Sequence, residues 1–417
     1  MIFKNISVIG LGYIGLPTAA LFSNKKIHVL GVDINKSVVE KINGGSTHIV
    51  EPELDKIVND SVKNGYLKAA IHPKESDAYI IAVPTPFKTN NSQIPEPDLS
   101  FVISALNSFA AFLKKGDLIV LESTSPVGTT EIISNHLNQK RSDLTFPHNS
   151  DNPDINIAYC PERVLPGNIV KEIIKNDRVI GGLTEKCTKK AIELYSNFVE
   201  GEMLETDSRT AEMVKLTENS CRDVQIAFAN ELSIICDELD INVWNLISLA
   251  NKHPRINILQ PGPGVGGHCI AVDPWFIVNK TPSNAKLISM AREVNDSKPN
   301  WVIAKVKDSI LEITKSLKKE TKDITIACLG LSFKANIDDI RESPALYITR
   351  EISKFHDGEI IAVEPNIKKI QGERFKLESL ECAKKKADII LLLVDHDEFK
   401  KIESPNAYKI IDTRGVW

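Results

Sequence analysis

A single cysteine, Cys269, stands in a glycine-rich segment with the residue types of a nucleophilic site. The segment reads Gly262-Pro-Gly-Val-Gly-Gly-His-Cys-Ile-Ala-Val-Asp273, so a carboxylate follows four residues after the thiol. Glycine allows backbone conformations that other residues avoid, and it lets a ligand approach the chain closely. The segment therefore predicts an attacking thiol, whereas the alternative interpretation is a tight turn around a buried cysteine.

A second motif, Gly10-Leu-Gly-Tyr-Ile-Gly15, lies between an expected strand and an expected helix. In a dinucleotide-binding turn, the first glycine makes the turn, the second admits the pyrophosphate, and the third lets helix and strand pack closely. The helix N-terminus then favours the phosphate anions. Asp33 ends the next expected strand, where an acid accepts a bond from the adenosine ribose and repels the extra phosphate of NADP. These features predict NAD as the cofactor.

Two turns after later expected strands carry hydroxyl groups. They are Val83-Pro-Thr-Pro86 and Ser123-Thr-Ser-Pro-Val-Gly128, and both point to the place where a nicotinamide ribose would lie. Ordinary turn chemistry is the alternative, because serine, threonine, proline and glycine favour turns. The expected cofactor-binding residues are Gly10, Gly12, Tyr13, Ile14, Gly15, Asp33, Thr85 and Thr124.

Lys215 and Asn219 are four residues apart in a long helical stretch, so they share one helix face. Arg222 lies near the same face and is a further candidate for substrate binding. The pair is informative only if this helix borders the thiol. Otherwise it is an ordinary solvated helix surface.

Short apolar runs alternate with helical stretches through the first half of the chain. The runs cover residues 6–9, 28–33, 78–84, 118–122, 155–159 and 178–181. This alternation predicts βαβ units and a parallel sheet. From Ser208 to about Leu239, the absence of proline and glycine and the helical spacing of apolar residues predict one long helix. Such a helix is suited to crossing between domains or to forming a dimer interface.

The last third of the chain repeats the opening plan in residues 324–330, 359–364 and 387–395. The segment Gly330-Leu-Ser-Phe-Lys334 has lost the spacing of three glycines. We therefore expect a second nucleotide-type domain that holds a different ligand at the carboxyl ends of its strands. The alternative is a sheet domain used only for packing. The predicted fold class is α/β, with two Rossmann-like doubly wound domains joined by a long central helix.

The composition narrows the class of protein. A chain of 417 residues predicts two or three domains, and its net charge of -4 gives no electrostatic reason to expect nucleic-acid binding. The N-terminus lacks the features of a signal peptide, and no apolar run approaches about 18 residues, so no membrane association is expected. The seven scattered cysteines include no CxxC pair, which argues against a disulfide framework or a zinc site and fits the cytoplasm.

Together the motifs resemble the UDP-glucose/GDP-mannose dehydrogenase family over essentially the whole chain. The marks of this resemblance are the segments 10–15, 122–128, 160–167, 215–219, 261–274, 330–334 and 338–344. The resemblance implies an NAD-dependent, four-electron oxidation of a UDP-sugar at C6. The expected substrate is UDP-N-acetyl-D-mannosamine, and the expected pathway is surface polysaccharide biosynthesis.

The resemblance also implies catalytic roles. The cysteine at position 269 attacks the C6 aldehyde and forms a thiohemiacetal, which is oxidised to a thioester and hydrolysed. Lys215 and Asn219 stabilise the C6 oxygen, Asp273 orients the lysine or a water, and Glu162 manages water and protons. For Glu162, a helix-start or salt-bridge role is the alternative. The implied catalytic residues are Cys269, Lys215, Asn219, Asp273 and Glu162.

Substrate contacts are implied by the same resemblance. The implied substrate-binding residues are Arg163, Val164, Lys215, Asn219, Arg222, His253, Arg255, Gly266, Phe333, Lys334 and Arg341. Cations suit the two phosphates, and Arg255 is expected to reach the substrate of a neighbouring subunit. The alternatives are that Arg341 pairs with Asp338 or Asp339 and that His253 is a packing residue.

The resemblance implies a three-part organisation and a homo-oligomer. We expect an NAD-binding domain in residues 1–200, a central helical linker and dimerisation domain with the catalytic loop in residues 201–315, and a UDP-sugar-binding domain in residues 316–417. A homodimer or higher oligomer is expected.

The rival functions are a UDP-N-acetylglucosamine or UDP-glucose 6-dehydrogenase, a two-electron hydroxyacid dehydrogenase, and a non-catalytic protein that senses nucleotides.

Overall fold

The structure of the chain is a computed structural model that describes residues 3–49, 51–89, 94–164 and 167–417. The chain divides into two compact units, residues 1–218 and 219–417. The division into three domains expected from the sequence stays a prediction. The first sheet continues past residue 200, because its last strand covers Met203–Asp207.

The first unit contains an eight-stranded sheet whose strand order is β3-β2-β1-β4-β5-β6-β7-β8. The strands are β1 Asn5–Ile9, β2 His28–Val32, β3 Leu67–Ala70, β4 Ala78–Ile81, β5 Leu118–Leu121, β6 Asn156–Tyr159, β7 Arg178–Gly182 and β8 Met203–Asp207. The helices that begin in this unit are α1 Gly15–Asn24, α2 Lys36–Asn43, α3 Leu54–Lys63, α4 Ser100–Phe109, α5 Thr129–Lys140, α6 Ile169–Lys175, α7 Glu185–Tyr195 and α8 Ser208–Glu238. The strand order reverses between β1 and β4, which is where doubly wound folds bind ligands.

Helices cover both faces of the sheet, so its central strands are apolar on both sides. In β4, Ala78 and Ile80 join the hydrophobic core on one face, whereas Tyr79 and Ile81 join the core on the other face. All four residues are fully buried. This explains why the strands read as continuous apolar runs rather than as alternating patterns.

The predicted parallel sheet is confirmed, with one exception, since β7 runs antiparallel to β6. The connection between β6 and β7 is a loop in which residues near the two ends are hydrogen-bonded to each other. Asn176 donates to the carbonyl oxygen of Arg163 at 2.9 Å, and the Arg163 guanidinium donates to the carbonyl oxygen of Asp177 at 3.1 Å. The chain therefore enters β7 at the same edge of the sheet where it left β6.

The second unit contains an all-parallel five-stranded sheet with the order β11-β10-β9-β12-β13. Its strands are β9 Ile326–Leu329, β10 Ile360–Val363, β11 Lys376–Leu377, β12 Ile389–Leu392 and β13 Lys409–Asp412. Its helices after α8 are α9 Val243–Ala250, α10 Asp273–Lys280, α11 Lys286–Leu317, α12 Pro344–Phe355, α13 Leu380–Lys386 and α14 Asp397–Lys400. The predicted long helix is confirmed as α8, which passes from the first unit into the second.

The second sheet repeats the turn that opens the first. Gly10 has φ +91° and donates to the carbonyl oxygen of Val32, and Gly330 has φ +90° and donates to that of Val363, both at 2.8 Å. The predicted pair of Rossmann-like domains is therefore confirmed. Within the described ranges, no helix combines the length and the apolar character needed to cross a membrane.

Candidate active site

The first glycine turn has the geometry of a dinucleotide cradle. A Cβ atom on Gly10 would lie 2.5 Å from the carbonyl oxygen of Ala82, and one on Gly15 would lie 1.8 Å from the carbonyl oxygen of Gly10. A Cβ on Gly12 would meet no heavy atom within 4 Å. Gly10 and Gly15 are therefore required by the fold, whereas Gly12 leaves open space where a pyrophosphate would approach.

The remaining turn residues lead into helix α1. Tyr13 is partly exposed and Ile14 is half-buried as the N-cap residue of α1. The half-buried Asp33 accepts a hydrogen bond from the backbone N–H of Leu11 at 3.0 Å and one from that of Asn35 at 2.9 Å. Its carboxylate therefore fixes the glycine turn from the end of β2, the position expected for an adenosine ribose acceptor.

The two predicted threonines lie together at the ends of neighbouring strands. The Thr85 hydroxyl donates to the carbonyl oxygen of Thr124 at 2.6 Å, and the Ser123 hydroxyl donates to that of Val83 at 2.7 Å. These hydrogen bonds between the two turns link β4 and β5 at the carboxyl edge of the sheet. The ribose contact of Thr85 and Thr124 stays a prediction.

Glu162 and Lys215 form a buried pair. Their side chains are 11% and 7% exposed, and Lys215 Nζ lies 3.4 Å from Glu162 Oε1. The same ammonium donates to the carbonyl oxygen of Glu162 at 2.8 Å, while Glu162 Oε2 accepts from the backbone N–H of Val164 at 2.9 Å. The structure brings an ammonium and a carboxylate together, as proton transfer or oxyanion stabilisation requires.

Arg163 and Val164, which follow Glu162, have partners within the first unit. The Arg163 guanidinium pairs with Glu218 at 2.6 Å in addition to its bond to the carbonyl oxygen of Asp177. Val164 is half-buried and packs against the hydrophobic core. Their contacts with sugar and phosphate stay predictions.

A buried polar network supports the segment that begins at Cys160. Arg178 NH1 lies 3.4 Å from Cys160 Sγ and 3.5 Å from Glu122 Oε1, and Glu122 also accepts from the Tyr195 hydroxyl at 2.6 Å. Burial raises the pKa of Glu122, although the Arg178 charge opposes this increase. Burial also raises the pKa of the Cys160 thiol, so this cysteine stays protonated and inert.

In the second unit, Cys269 is exposed, which excludes the alternative of a buried thiol in a tight turn. Its carbonyl oxygen accepts from the backbone N–H of Val272 at 3.0 Å and from that of Asp273 at 2.8 Å, so the thiol stands one turn before helix α10. Asp273 is 3% exposed, and its Oδ2 accepts from Asn219 Nδ2 at 2.5 Å. The carboxylate thus orients the amide of Asn219.

The thiol segment packs closely against the loop that follows β9. A Cβ on Gly266 would lie 2.5 Å from the carbonyl oxygen of Glu342 and 2.8 Å from Cβ of Phe333. Gly267, at φ +81°, donates to the carbonyl oxygen of Arg341 at 3.4 Å. Two segments that are far apart in the sequence, each with implied substrate residues, are therefore adjacent.

His268, beside the thiol, does not provide a positive charge near pH 7. Desolvation lowers its pKa, and the Arg341 charge lowers it further, while Asp339 and Glu342 oppose the change. A neutral imidazole cannot lower the pKa of a neighbouring thiol through charge.

The implied cationic substrate residues are mainly at the surface of the second unit. Lys334 is exposed, and Arg341 forms a bidentate pair with Asp339, which is the alternative foreseen from the sequence. Arg222, His253 and Arg255 are exposed. The His253 Nδ1 atom accepts from the backbone N–H of Arg255 at 3.4 Å. Their roles in binding stay predictions.

Sequence reasoning missed the buried charges that support these segments. Glu122 belongs to a segment that marks the family resemblance, but no role was predicted for it. Arg178 was predicted only as part of an apolar strand. Arg292, which is 1% exposed, bonds to the thiol segment from helix α11. One signal was available for Arg292, because Asp296 follows it at the i+4 spacing of a helical ion pair.

Known proteins match the chain from end to end. Residues 4–199, 209–297 and 327–417 match the NAD binding, central and UDP binding domains of the UDP-glucose/GDP-mannose dehydrogenase family. The chain is 56% identical to the UDP-N-acetyl-D-mannosamine dehydrogenase of Yersinia pestis, with 100% of both chains covered. It is 54% identical to the NDP-N-acetyl-D-galactosaminuronic acid dehydrogenase of Ralstonia nicotianae, with 100% of this chain and 96% of the relative covered.

A solved structure agrees with these matches. The UDP-D-ManNAc dehydrogenase of Pyrococcus horikoshii is 37% identical and has a TM-score of 0.88, with 99% of this chain and 96% of that chain covered. The resemblance and the NAD cofactor expected from the sequence are thereby confirmed. This chain is a member of the UDP-glucose/GDP-mannose dehydrogenase family, and residues 4–199 are its NAD binding domain.

Proposed function

We propose that this chain oxidises UDP-N-acetyl-D-mannosamine at C6 to the uronate for surface polysaccharide biosynthesis. The overall reaction converts the C6 alcohol and one water into a carboxylate, with release of two NADH and three protons per sugar. The observation that carries the proposal is the exposed Cys269 on a segment that contacts Phe333 and Arg341. Identity to enzymes named for this substrate supports the choice of sugar.

The first unit is suited to hold NAD through Gly10, Gly12, Gly15 and Asp33. When bound, NAD supplies a hydride acceptor for each of the two oxidations. The open space at Gly12 leaves room for the pyrophosphate, and the carboxylate of Asp33 disfavours the extra phosphate of NADP.

Cys269 keeps the reactive aldehyde on the enzyme between the two oxidations. The S–H bond adds across the C6 carbonyl, so that a C6–S bond forms and the oxygen gains the proton. Loss of a hydride from C6 and of the hydroxyl proton leaves a thioester. Water then attacks C6, the C6–S bond breaks, and the thiol is regenerated.

The polar residues near these steps stabilise charge and move protons. In the proposed mechanism, the buried ammonium of Lys215 and the amide of Asn219 donate to the C6 oxygen. Asp273 keeps Asn219 oriented through their hydrogen bond, and Glu162, paired with Lys215, manages the hydrolytic water. Each role agrees with the local contacts of the residue.

We also infer a homodimer or larger assembly that works in the cytoplasm. Large apolar side chains remain exposed on α8 at Phe228, Ile235 and, just beyond it, Leu239. Phe228 and Ile235 are seven residues apart and share one face of the helix. An exposed apolar stripe on a long helix is typical of a subunit interface.

The stoichiometry of the reaction tests the proposed chemistry. With UDP-N-acetylmannosamine, UDP-N-acetylglucosamine and UDP-glucose assayed side by side, the first should turn over most efficiently and yield two NADH per sugar. One NADH would indicate a two-electron dehydrogenase, and none with any sugar would indicate a nucleotide sensor.

Removal of the thiol tests the covalent route. Cys269→Ala should lower steady turnover by roughly 1,000-fold or more, because the aldehyde can no longer be held as a thiohemiacetal. Cys221→Ala removes another exposed cysteine and serves as the control that should keep full activity. Normal turnover of Cys269→Ala would exclude the thioester.

A further inference from the structure

A buried polar network in the second unit holds the start of the thiol segment. Gly262 donates its backbone N–H to Asn230 Oδ1 at 2.9 Å, and Asn230 Nδ2 donates to Asn295 Oδ1 at 2.9 Å. Asn295 Nδ2 in turn donates to Asp223 Oδ1 at 2.8 Å. All three side chains are 0–1% exposed. The start of the segment is thus fixed to both α8 and α11.

The same network reaches the other end of the segment through Arg292. Its NH1 donates to Asp223 Oδ1 at 2.6 Å and to the carbonyl oxygen of Ile270, the residue after Cys269, at 3.4 Å. Its NH2 pairs with Asp296. One guanidinium therefore connects two carboxylates to the backbone beside the thiol.

Stability alone does not account for this arrangement. Asp223 Oδ2 and Arg292 Nε are buried and have no hydrogen-bond partner among the residues that the structure describes. Burial raises the pKa of Asp223, and the Arg292 charge opposes that increase. Buried charges cost free energy that a well-packed apolar pair would avoid. A functional demand on the position of the segment explains why the arginine is present.

The segment itself needs such support. It contains four glycines between Gly262 and Gly267, and glycine loses more conformational freedom on folding than any other residue. A thiol that must capture an aldehyde has to stay within reach of C6, because a small displacement costs orders of magnitude in rate.

We propose that Arg292 is a positioning residue for Cys269, which it holds in place through the carbonyl oxygen of Ile270. The inference rests on the proposed function, since the position of the thiol matters only if the thiol captures an intermediate. In the absence of Arg292, the first oxidation continues, but the aldehyde leaves before the C6–S bond forms.

Arg292→Lys tests this role, because an ammonium keeps the charge but lacks the two separate nitrogens of the guanidinium. In Arg292, NH1 bonds to Asp223 and Ile270 while NH2 bonds to Asp296. NADH formed per UDP-sugar consumed should fall from two towards one. Aldehyde trapped by hydroxylamine should rise about threefold or more, because capture by the thiol no longer competes with release. A residue that only stabilises the fold would lower turnover and leave the ratio at two.

Hydrogen exchange provides a measurement that does not depend on activity. In Arg292→Lys without substrate, backbone amides between residues 262 and 272 should exchange about tenfold faster, since the segment has lost an anchor. Amides in the first unit should exchange as in the parent protein. Should Arg292→Lys fail to fold, Asp223→Asn weakens the hold on the same guanidinium by removing the carboxylate charge beside NH1, and it carries both measurements.

A matched control comes from another buried polar link between the same helices. Lys298 of α11 donates to the Ser233 hydroxyl of α8 at 2.6 Å. Within the part of the chain that the structure describes, its ammonium makes no hydrogen bond to the thiol segment. Lys298→Met should keep two NADH per sugar. An Arg292→Lys enzyme with two NADH per sugar and unchanged exchange would overturn the proposal. If the parent protein itself does not yield two NADH per sugar, the proposed function is wrong. The hydrogen-exchange data alone then test whether Arg292 holds the thiol segment in place.

Discussion

Buried carboxylates in the first unit lie beside buried cations. Glu162 pairs with Lys215 and Glu122 pairs with Arg178, and all four side chains are at most 11% exposed. Burial is the main cause of the raised pKa of Glu122, and the Arg178 charge opposes it. The charge of Glu162 is a smaller contribution that raises the pKa of Glu122 further. The two pairs are therefore electrically coupled, and removal of one partner would leave an uncompensated buried charge.

Lys298 in the second unit has no such carboxylate in direct contact among the described residues. Its ammonium bonds to Ser233 and lies 3.6 Å from the ring centroid of Trp301. Burial lowers its pKa from 10.5 to about 7, with Asp237 opposing the change and Lys305 adding to it. The protonated form is thus disfavoured in the folded state.

Lys298→Met should therefore change how stability depends on pH. Between pH 7 and 10.5 the unfolded chain binds a proton that the folded chain does not, so this lysine makes the parent protein more stable as pH rises. Below pH 7 its full cost is present, up to roughly 5 kcal/mol. The variant should be more stable than the parent at pH 6, and this advantage should disappear by about pH 10, as measured by urea denaturation.

Lys307→Met is the control for this experiment. Lys307 lies on the same helix but is exposed, 4.8 Å from the ring centroid of Phe355. Its removal should leave the pH dependence as in the parent. A pH-independent difference between Lys298→Met and the parent would contradict the prediction.

At the level of elements, the two glycines Gly10 and Gly12 in the turn after β1 are expected to serve different purposes, folding and ligand binding. Gly10 takes φ +91° and has no room for a Cβ, whereas Gly12 has space around it. The fold requires Gly10, whereas a side chain at Gly12 would have space, so we expect Gly12 to matter only for ligand binding.

The turn therefore predicts opposite effects for two similar substitutions. Gly12→Ala should leave the melting temperature of the free protein unchanged but weaken NAD binding about tenfold or more, because the methyl group occupies the path of the pyrophosphate. Gly10→Ala should destabilise the protein by about 2 kcal/mol or more, because of its φ angle and the contact with Ala82. Calorimetric titration with NAD and thermal denaturation measure the two effects.

The equivalent glycine of the second sheet provides a comparison. Gly330→Ala would place a Cβ 2.4 Å from Cβ of Val394, so it should destabilise the protein as Gly10→Ala does. Equal loss of NAD affinity in Gly12→Ala and Gly330→Ala would contradict the assignment of the cofactor to the first turn.

At the level of the whole molecule, one architecture occurs twice with different chemistry. Asp33 is half-buried, whereas Glu364 at the equivalent strand end is 7% exposed and accepts from Leu331, Ser332, Asn366 and His396. Burial raises the pKa of Glu364, but these hydrogen bonds hold it below its ordinary value. Its acceptor capacity is used within the protein, so Glu364 is not suited to the ribose-binding role that is predicted for Asp33 in the first sheet.

The exposed apolar stripe of α8 leads to a prediction about assembly. Phe228→Asp places a charge on a side chain that is 51% exposed in the single chain, and it should dissociate the proposed homodimer. Sedimentation velocity should then detect a smaller species. Leu311→Asp alters a leucine of α11 that is 56% exposed, and it should leave the assembly intact. A parent protein that sediments as a monomer would refute the dimer.

Local spacing in the sequence was enough to locate the glycine turn after β1 and the long helix, and to single out the thiol segment. Glycine positions, apolar periodicity and the lack of helix breakers act over a few residues, and α8 ends one residue before the expected Leu239. The position of Asp33 could also be predicted, because this residue directly follows the apolar run that forms β2.

Contacts between side chains that are far apart in the sequence could not be predicted, because they depend on how the elements pack. Arg178 reaches Cys160 because β7 runs antiparallel to β6, and no local pattern encodes that direction. Arg292 reaches Ile270 because α11 packs beside the thiol segment. Burial and long-range contacts arise from folding in three dimensions, so a single sequence reveals the groups and some local pairs but not the distant partners.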